Sequence, residues 1–228
     1  MKKWICALVC ILALSPTARA AEPKYVALTF DDGPSGRFTR RLLDGLEERG
    51  AKATFFLCGY RLQQYPELAE RMVQQGHELG IHGYSHSDMR PMSRREIAAE
   101  IMDTENLMPA GAVIKCLRPP GGCCSDGVRQ VSKARNYAIL GWSVDPRDWA
   151  SRDTAAIESM VLKTVTDGDV VLLHDMTDSS VTAALEIVDR LQAEGFTFVT
   201  VSELAEIRDL RLQSGKLYER FPPGGNPP

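Results

Sequence analysis

Two adjacent carboxylates, two histidines four residues apart and a third histidine far downstream are the groups of this chain best suited to chemistry. They are Asp31 and Asp32, His82 and His86, and His174, with Arg118, Asp145 and Asp148 lying between them in the chain. The sequence has four histidines, so three of the four fall in this set. Two imidazoles and one carboxylate suit a borderline divalent ion such as zinc and leave positions open for water. Neighbouring carboxylates repel unless a cation or an arginine stabilises them. One of the pair could therefore bind metal while the other serves as a base. Each signal is weak alone: Asp31-Asp32-Gly33-Pro34 also reads as a turn, and an isolated H-x-x-x-H also occurs on ordinary surfaces. The fourth histidine, His77, reads as structural.

The elements that carry these residues give them joint weight. Apolar runs predict strands over 25–30, 53–57, 78–81, 113–117, 137–143, 169–173 and 196–201. Between them lie helical patterns with start and stop signals. They cover 38–49 before Gly50, 66–75 beginning at a proline, a stretch opened by the Ser93/Glu96 capping box, and 126–134. Further helices run from an Asp153 cap to Val165, over 181–194 before Gly195, and beyond a Ser202 cap. Seven strands alternating with helices imply a parallel sheet with right-handed crossovers. An irregular α/β barrel and an open doubly wound sheet both fit. In either, the candidate residues follow the carboxyl ends of strands, which is where barrel active sites are built. No G-x-G-x-x-G follows the first strand, which disfavours a dinucleotide enzyme.

A length of 228 residues points to a single domain. Residues 1–20 read as a secretory signal peptide: Lys2 and Lys3, an apolar run over 4–14, then Ala18-Arg19-Ala20. The run is too short to span a bilayer. The expectation is an exported protein, secreted or in the cell envelope, with no membrane span. The net charge is −3, and loss of residues 1–20 leaves 24 cations against 30 acids, or −6. That balance argues against general nucleic-acid binding. Cys58, Cys116, Cys123 and Cys124 would remain; export permits disulfides, and the sequence does not choose among their three complete pairings. Adjacent Cys123-Cys124 does not match a C-x-x-C zinc spacing. The Pro/Gly-rich residues 214–228 are expected to be a disordered tail outside a domain of residues 21–213.

Five short motifs in order resemble the NodB-homology polysaccharide deacetylases, carbohydrate esterase family four. They are T-F-D-D-G-P at 29–34, H-G-Y-S-H at 82–86, R-P-P-G-G at 118–122, D-P-R-D-W at 145–149 and L-L-H at 172–174. The likeness extends over residues 24–207 and implies a distorted (β/α) barrel of about seven parallel strands. It implies that Asp32, His82 and His86 hold a divalent metal, zinc or alternatively cobalt. Asp31 would be the general base, oriented by Arg118, and His174 the general acid, supported by Asp148. Trp149 and Leu172 would wall the acetyl pocket, with Gly121 and Gly122 at the substrate groove. The chain departs from the family at Gly83, where Ser or Thr is usual, at Ile81, where Asn is frequent, and at Gly121, where an aromatic is common. Gly83 puts loop rigidity in question, and Gly121 removes a groove-lining side chain. Cys123 and Cys124 beside the groove have no assigned role.

The implied activity is removal of N-acetyl groups from an amino-sugar polymer, foremost peptidoglycan N-acetylglucosamine of a bacterial envelope, by a monomer whose partner is that acetylated glycan. Chitin oligosaccharides and acetyl-xylan are the alternative substrates. A glycan-binding relative without activity and a non-heme iron oxygenase, which also uses two histidines and a carboxylate, are the rival classes.

Overall fold

A computed structural model describes residues 22–224. The segment expected to be a signal peptide lies outside them. Eight strands are present among the described residues: β1 (Lys24–Asp31), β2 (Thr54–Leu57), β3 (Glu78–Ile81), β4 (Cys116–Leu117), β5 (Ala138–Leu140), β6 (Val170–His174), β7 (Phe196–Phe198) and β8 (Leu217–Tyr218). The helices between them are α1 (Arg37–Glu48), α2 (Gly59–Gln64), α3 (Pro66–Gln74), α4 (Arg94–Glu105), α5 (Asp126–Ala134), α6 (Thr154–Thr164), α7 (Asp178–Ala193) and α8 (Val201–Ile207). No described helix is long and apolar enough to cross a membrane.

The strand order is β6-β1-β2-β3-β4-β5-β8, with β7 against the first residues of β1, and every strand pair is parallel. Past β5 the chain returns to β6, where Val144 bridges Val171 and Leu172 N–H donates to Val144 O at 2.9 Å. That contact closes the sheet on itself. The result is the distorted α/β barrel in one domain, and it excludes the open doubly wound alternative. Strands covered on both faces must be apolar along their length; β1 is buried from Val26 to Asp31, and all of β2 is buried. Leu28, Phe30, Phe55, Leu173 and the inward faces of α1 and α7 share one continuous core.

Local chemistry sets the boundaries. The Ser93/Glu96 capping box forms as expected, and Asp153 caps α6. The last helix begins earlier than its expected Ser202 cap. Thr200 and Glu203 make a reciprocal capping box, while the Ser202 hydroxyl donates to Glu78. The fourth strand shrinks from 113–117 to two residues, and Val113 is 71% exposed. Helix α2 was not anticipated: it has six residues, no side-chain cap and only Gly59 and Leu62 buried, so it carries no periodic stripe to read.

The region expected as a tail is built into the fold as far as it is described. Leu217–Tyr218 pairs with β5, Tyr218 stacks on Phe221 with ring centroids 6.0 Å apart, and Phe221 is buried. Phe221 N–H donates to Gly168 O at 2.7 Å. Two aromatic anchors thus outweigh the Pro/Gly composition that suggested disorder.

Candidate active site

The carboxyl ends of the strands bring the candidate residues to one cleft of about 380 Å³. Its walls include Asp31, Asp32, His82, His86, Gly121, Trp149, Leu172 and His174, together with Asp145 and Trp142. Trp142 was not singled out from the sequence. It lies two residues past β5, where no motif marks it.

Asp31 ends β1 and is buried, side by side with His174 in the strand register. Its charge is met by Arg118, which follows β4 and is fully buried. Arg118 Nη1 donates to Asp31 Oδ1 at 2.7 Å and to Thr29 Oγ1 at 2.8 Å. Its Nε donates to Leu140 O at 3.2 Å and its Nη2 to Gly141 O at 2.7 Å, and Phe56 lies under the guanidinium 4.1 Å away. A buried charge is tolerated when paired and hydrogen-bonded, and here every guanidinium nitrogen has an oxygen partner. Asp31 Oδ2 is left facing the cleft, 3.7 Å from His82 Nε2.

Asp32 turns the other way. Its backbone is left-handed, φ 72°, which throws its side chain toward His82 and His86 rather than Arg118. Asp32 Oδ1 lies 3.3 Å from His82 Nε2 and 3.0 Å from His86 Nε2. His82 Nδ1 is 2.7 Å from Arg118 O, and a carbonyl only accepts. Nδ1 therefore donates to that carbonyl, and Nε2 is the ring nitrogen turned toward Asp32. Burial works to raise the Asp32 pKa, but the two imidazoles overcome it and hold the carboxyl well below the usual range. Asp32 conversely raises His86. Even so, buried Asp32 Oδ1 has no hydrogen-bond partner. Three ligand atoms within 4.8 Å of one another, one on a ring oriented by a backbone carbonyl and one from a carboxylate with a buried, unpartnered oxygen, fit a divalent cation.

The loop that carries both histidines is held from behind. Glu100 on α4 accepts from Tyr84 N–H at 2.7 Å, Ser85 N–H at 2.8 Å and Ser85 Oγ at 2.8 Å. Gly83 has φ 81°, and a Cβ there would lie 3.2 Å from Glu100 Oε2 and 3.0 Å from Met89 Cε. The glycine lets the loop close onto that carboxylate. Glu100 escaped the sequence reading because it sits on a helix fourteen residues beyond His86, with nothing to mark its side chain.

Across the cleft, Asp148 is buried and grips His174 twice: Oδ2 accepts the His174 backbone N–H and Oδ1 meets Nδ1, both at 2.8 Å. Nε2 is left for the cleft. Burial favours the neutral ring, but Asp148 at hydrogen-bond distance, with Asp31 and Asp32 beyond, outweighs it and raises the His174 pKa to about 9. Leu172 is buried in the wall and Trp149 is 57% exposed at the rim. Gly121 is exposed, with open space where a Cβ would be. Gly122 is not among the lining residues. It packs beneath, where a Cβ would come within 2.6 Å of the Trp142 ring, and its N–H is spent on Pro119 O. His77 is away from the cleft: its Nδ1 accepts from Ala53 N–H, and burial lowers its pKa to about 4. Cys58, Cys116, Cys123 and Cys124 are all free thiols.

Fold and cleft together define an α/β-barrel protein of hydrolase type, with a carboxylate–arginine pair and a carboxylate–imidazole pair facing each other across a cation-ready donor set. The family model for polysaccharide deacetylase matches residues 18–140, and the chain belongs to that family. It is 38% identical over 187 residues to a peptidoglycan-N-acetylglucosamine deacetylase of Bacillus cereus, covering 79% of this chain and 88% of that one. It is 37% identical over 200 residues to the peptidoglycan-N-acetylmuramic acid deacetylase PdaC of Bacillus subtilis, covering 86% of this chain but only 42% of that longer protein. Among solved structures, a family 4 acetyl xylan esterase from Clostridium thermocellum in complex with a cobalt ion superposes with a TM-score of 0.81 at 33% identity, covering 87% of this chain and all of that one.

Proposed function

We propose that this protein is an exported bacterial enzyme that hydrolyses N-acetyl groups from an amino-sugar polymer, with peptidoglycan N-acetylglucosamine as the preferred substrate. One observation carries the reading: Asp31, backed by Arg118, and His174, backed by Asp148, face the same cleft on either side of the Asp32/His82/His86 donor set. Relatives named for peptidoglycan deacetylation support the substrate class.

Asp32, His82 and His86 would hold a divalent ion, zinc or cobalt, which supplies Lewis acidity and lowers the pKa of water bound to it. Asp31 takes the proton of the attacking water. Arg118 keeps the Asp31 carboxylate aimed. Negative charge developing on the amide oxygen would meet the main-chain N–H of Gly121, the donor that the family resemblance implies at this position, while Gly122 N–H is bonded to Pro119 O. His174, protonated at neutral pH through Asp148, gives its Nε2 proton to the departing amine. Leu172 and Trp149 bound the pocket for the acetyl methyl. Absence of a side chain at Gly121 widens the groove where the polymer would lie. Residues 1–20 would be removed on export, and the enzyme would act as a monomer on its glycan.

Acetate release tests this. The purified protein is stripped with chelator, resupplied with zinc or cobalt, and given peptidoglycan, N-acetylglucosamine oligomers or acetyl-xylan. Metal-dependent acetate from peptidoglycan, lost in Asp31→Asn and in His174→Ala, is the expected result. Preference for another polymer would reassign the substrate. No acetate from any of the three with metal bound would favour a glycan-binding relative.

A further inference from the structure

At the other end of the barrel a concavity of about 980 Å³ opens between α5 and the turn leading into β8. Arg129, Lys133, Arg211 and Lys216 line it, and no acidic residue does. All four are exposed, and none forms an ion pair among the described residues. The chain as a whole carries net charge −3. Four cations without a carboxylate partner around one groove, Lys216 among them lying 5.3 Å over the Tyr218 ring, are therefore a local reversal of its overall charge.

The groove is fixed in shape. Arg129 and Lys133 are four residues apart on α5 and lie on one face. Gly215 at φ 75° brings the turn against that helix: a Cβ there would come within 2.9 Å of Arg129 O and of Lys133 Cβ, and Gly215 N–H donates to Tyr137 O at 2.9 Å. Gln213 N–H donates to the buried Tyr218 hydroxyl at 3.0 Å. Arg211 stands between Leu210 and Leu212, both packed on the core. The favourable placement of a cation near a helix C-terminus accounts for Lys133 but not for Arg211 or Lys216, which lie on no helix.

We propose that this groove docks a linear polyanion, a polymer bearing a phosphate or carboxylate on each repeat, and so holds an otherwise acidic enzyme at an anionic surface polymer. The cations border an open trough instead of converging on a point, which suits an extended chain and not a single phosphate. Such binding gains from release of counterions and weakens steeply with salt. None of the exposed large hydrophobics, Met102, Val113, Trp149, Met160 and Ile207, lines the groove, and its one large apolar lining side chain, Leu212, is packed on the core, which disfavours insertion into a bilayer. No aromatic residue lines it to stack on bases, as single-stranded nucleic acids require.

Fluorescence anisotropy of dye-labelled poly(glycerol phosphate) and of labelled polygalacturonate, titrated with the full chain between about 20 and 200 mM NaCl, tests the proposal. We expect binding to one or both that weakens with salt. In Lys133→Glu/Arg211→Glu it should weaken at least about tenfold. In the milder Lys133→Gln/Arg211→Gln, a check against misfolding, it should weaken severalfold. The melting temperature and acetate release from uncharged oligosaccharides should stay as in wild type. Equal binding by wild type and both variants, or none at the lowest salt, overturns the proposal. So does tighter binding to phosphatidylglycerol vesicles or to a single-stranded oligonucleotide than to either polymer. Binding is read without catalysis, so failure of the deacetylase reading would leave this result standing.

Discussion

Asp31 and Asp32 are chain neighbours in opposite electrostatic situations. The half of the cleft around Asp31 is completed by the protein itself. Arg118 places four hydrogen bonds on oxygens of that half, and Asp148 meets both nitrogens of His174 that face it. The half around Asp32 is left incomplete: the Nε2 edge of His82, a half-exposed His86 and a buried carboxylate oxygen without a partner. Charge that the chain neutralises internally becomes part of folding stability. Charge left open is available to a ligand, and stability there should follow the ligand instead.

The sharpest way to break this comparison is Arg118→Met. Loss of the guanidinium strands the buried Asp31 carboxylate, which costs roughly 3–5 kcal/mol. Urea denaturation of metal-free protein should show that loss, and Asp31→Asn in the same chain should recover part of it. A loss under about 1 kcal/mol would mean that Asp31 is not held as described. Next comes the His174–Asp148 pair. The folded pKa of His174, about 9, lies above the ordinary 6.5, so its contribution is whole below pH 6.5 and disappears as pH rises through 9. Metal-free wild type should lose up to roughly 3 kcal/mol across that window, and Asp148→Asn should flatten the dependence. An unchanged pH dependence in the variant would remove Asp148 as the cause. The open half behaves differently. Zinc at a hundredfold excess over its Kd should stabilise wild type by about 2.7 kcal/mol. His86→Ala should abolish that gain while changing metal-free stability little, and Arg118→Met should keep it. Equal zinc stabilisation of wild type and His86→Ala would place the ion elsewhere.

Much of the cleft was legible because its residues fall in strand-end motifs, and strand ends converge whatever the loops between them do. Asp31, Asp32, His82, Arg118 and His174 lie at or next to such ends, and His86 and Asp148 lie in the loops that follow them. What the sequence concealed has no local period or motif. Trp142 follows a three-residue strand, and the barrel closes through a single bridged residue, Val144. The last strand was hidden by composition: proline and glycine around Tyr218 and Phe221 suggested disorder, yet burial of those two rings is a tertiary fact. Gly83 looked like a loss because one residue was judged without its neighbour in space, Glu100.

That pairing yields the smallest effect and the finest test of the comparison. Glu100 touches none of the three ligand atoms; it holds the backbone of Tyr84 and Ser85 between the two histidines. The loop has other restraints, since Gly59 and Tyr60 N–H donate to Gly83 and Tyr84 carbonyls at 3.0 Å. Removing Glu100 should therefore loosen the loop without unfolding it. Glu100→Ala should cost about 1 kcal/mol in metal-free stability and about tenfold in zinc affinity, read by competition with a chromogenic chelator. Adding Gly83→Ala to wild type should mimic part of this, because the new Cβ presses on Glu100 from a left-handed backbone. If Glu100→Ala lowers stability but leaves zinc affinity intact, the loop is preorganised by its main-chain bonds alone, and the open half is more rigid than its exposure suggests.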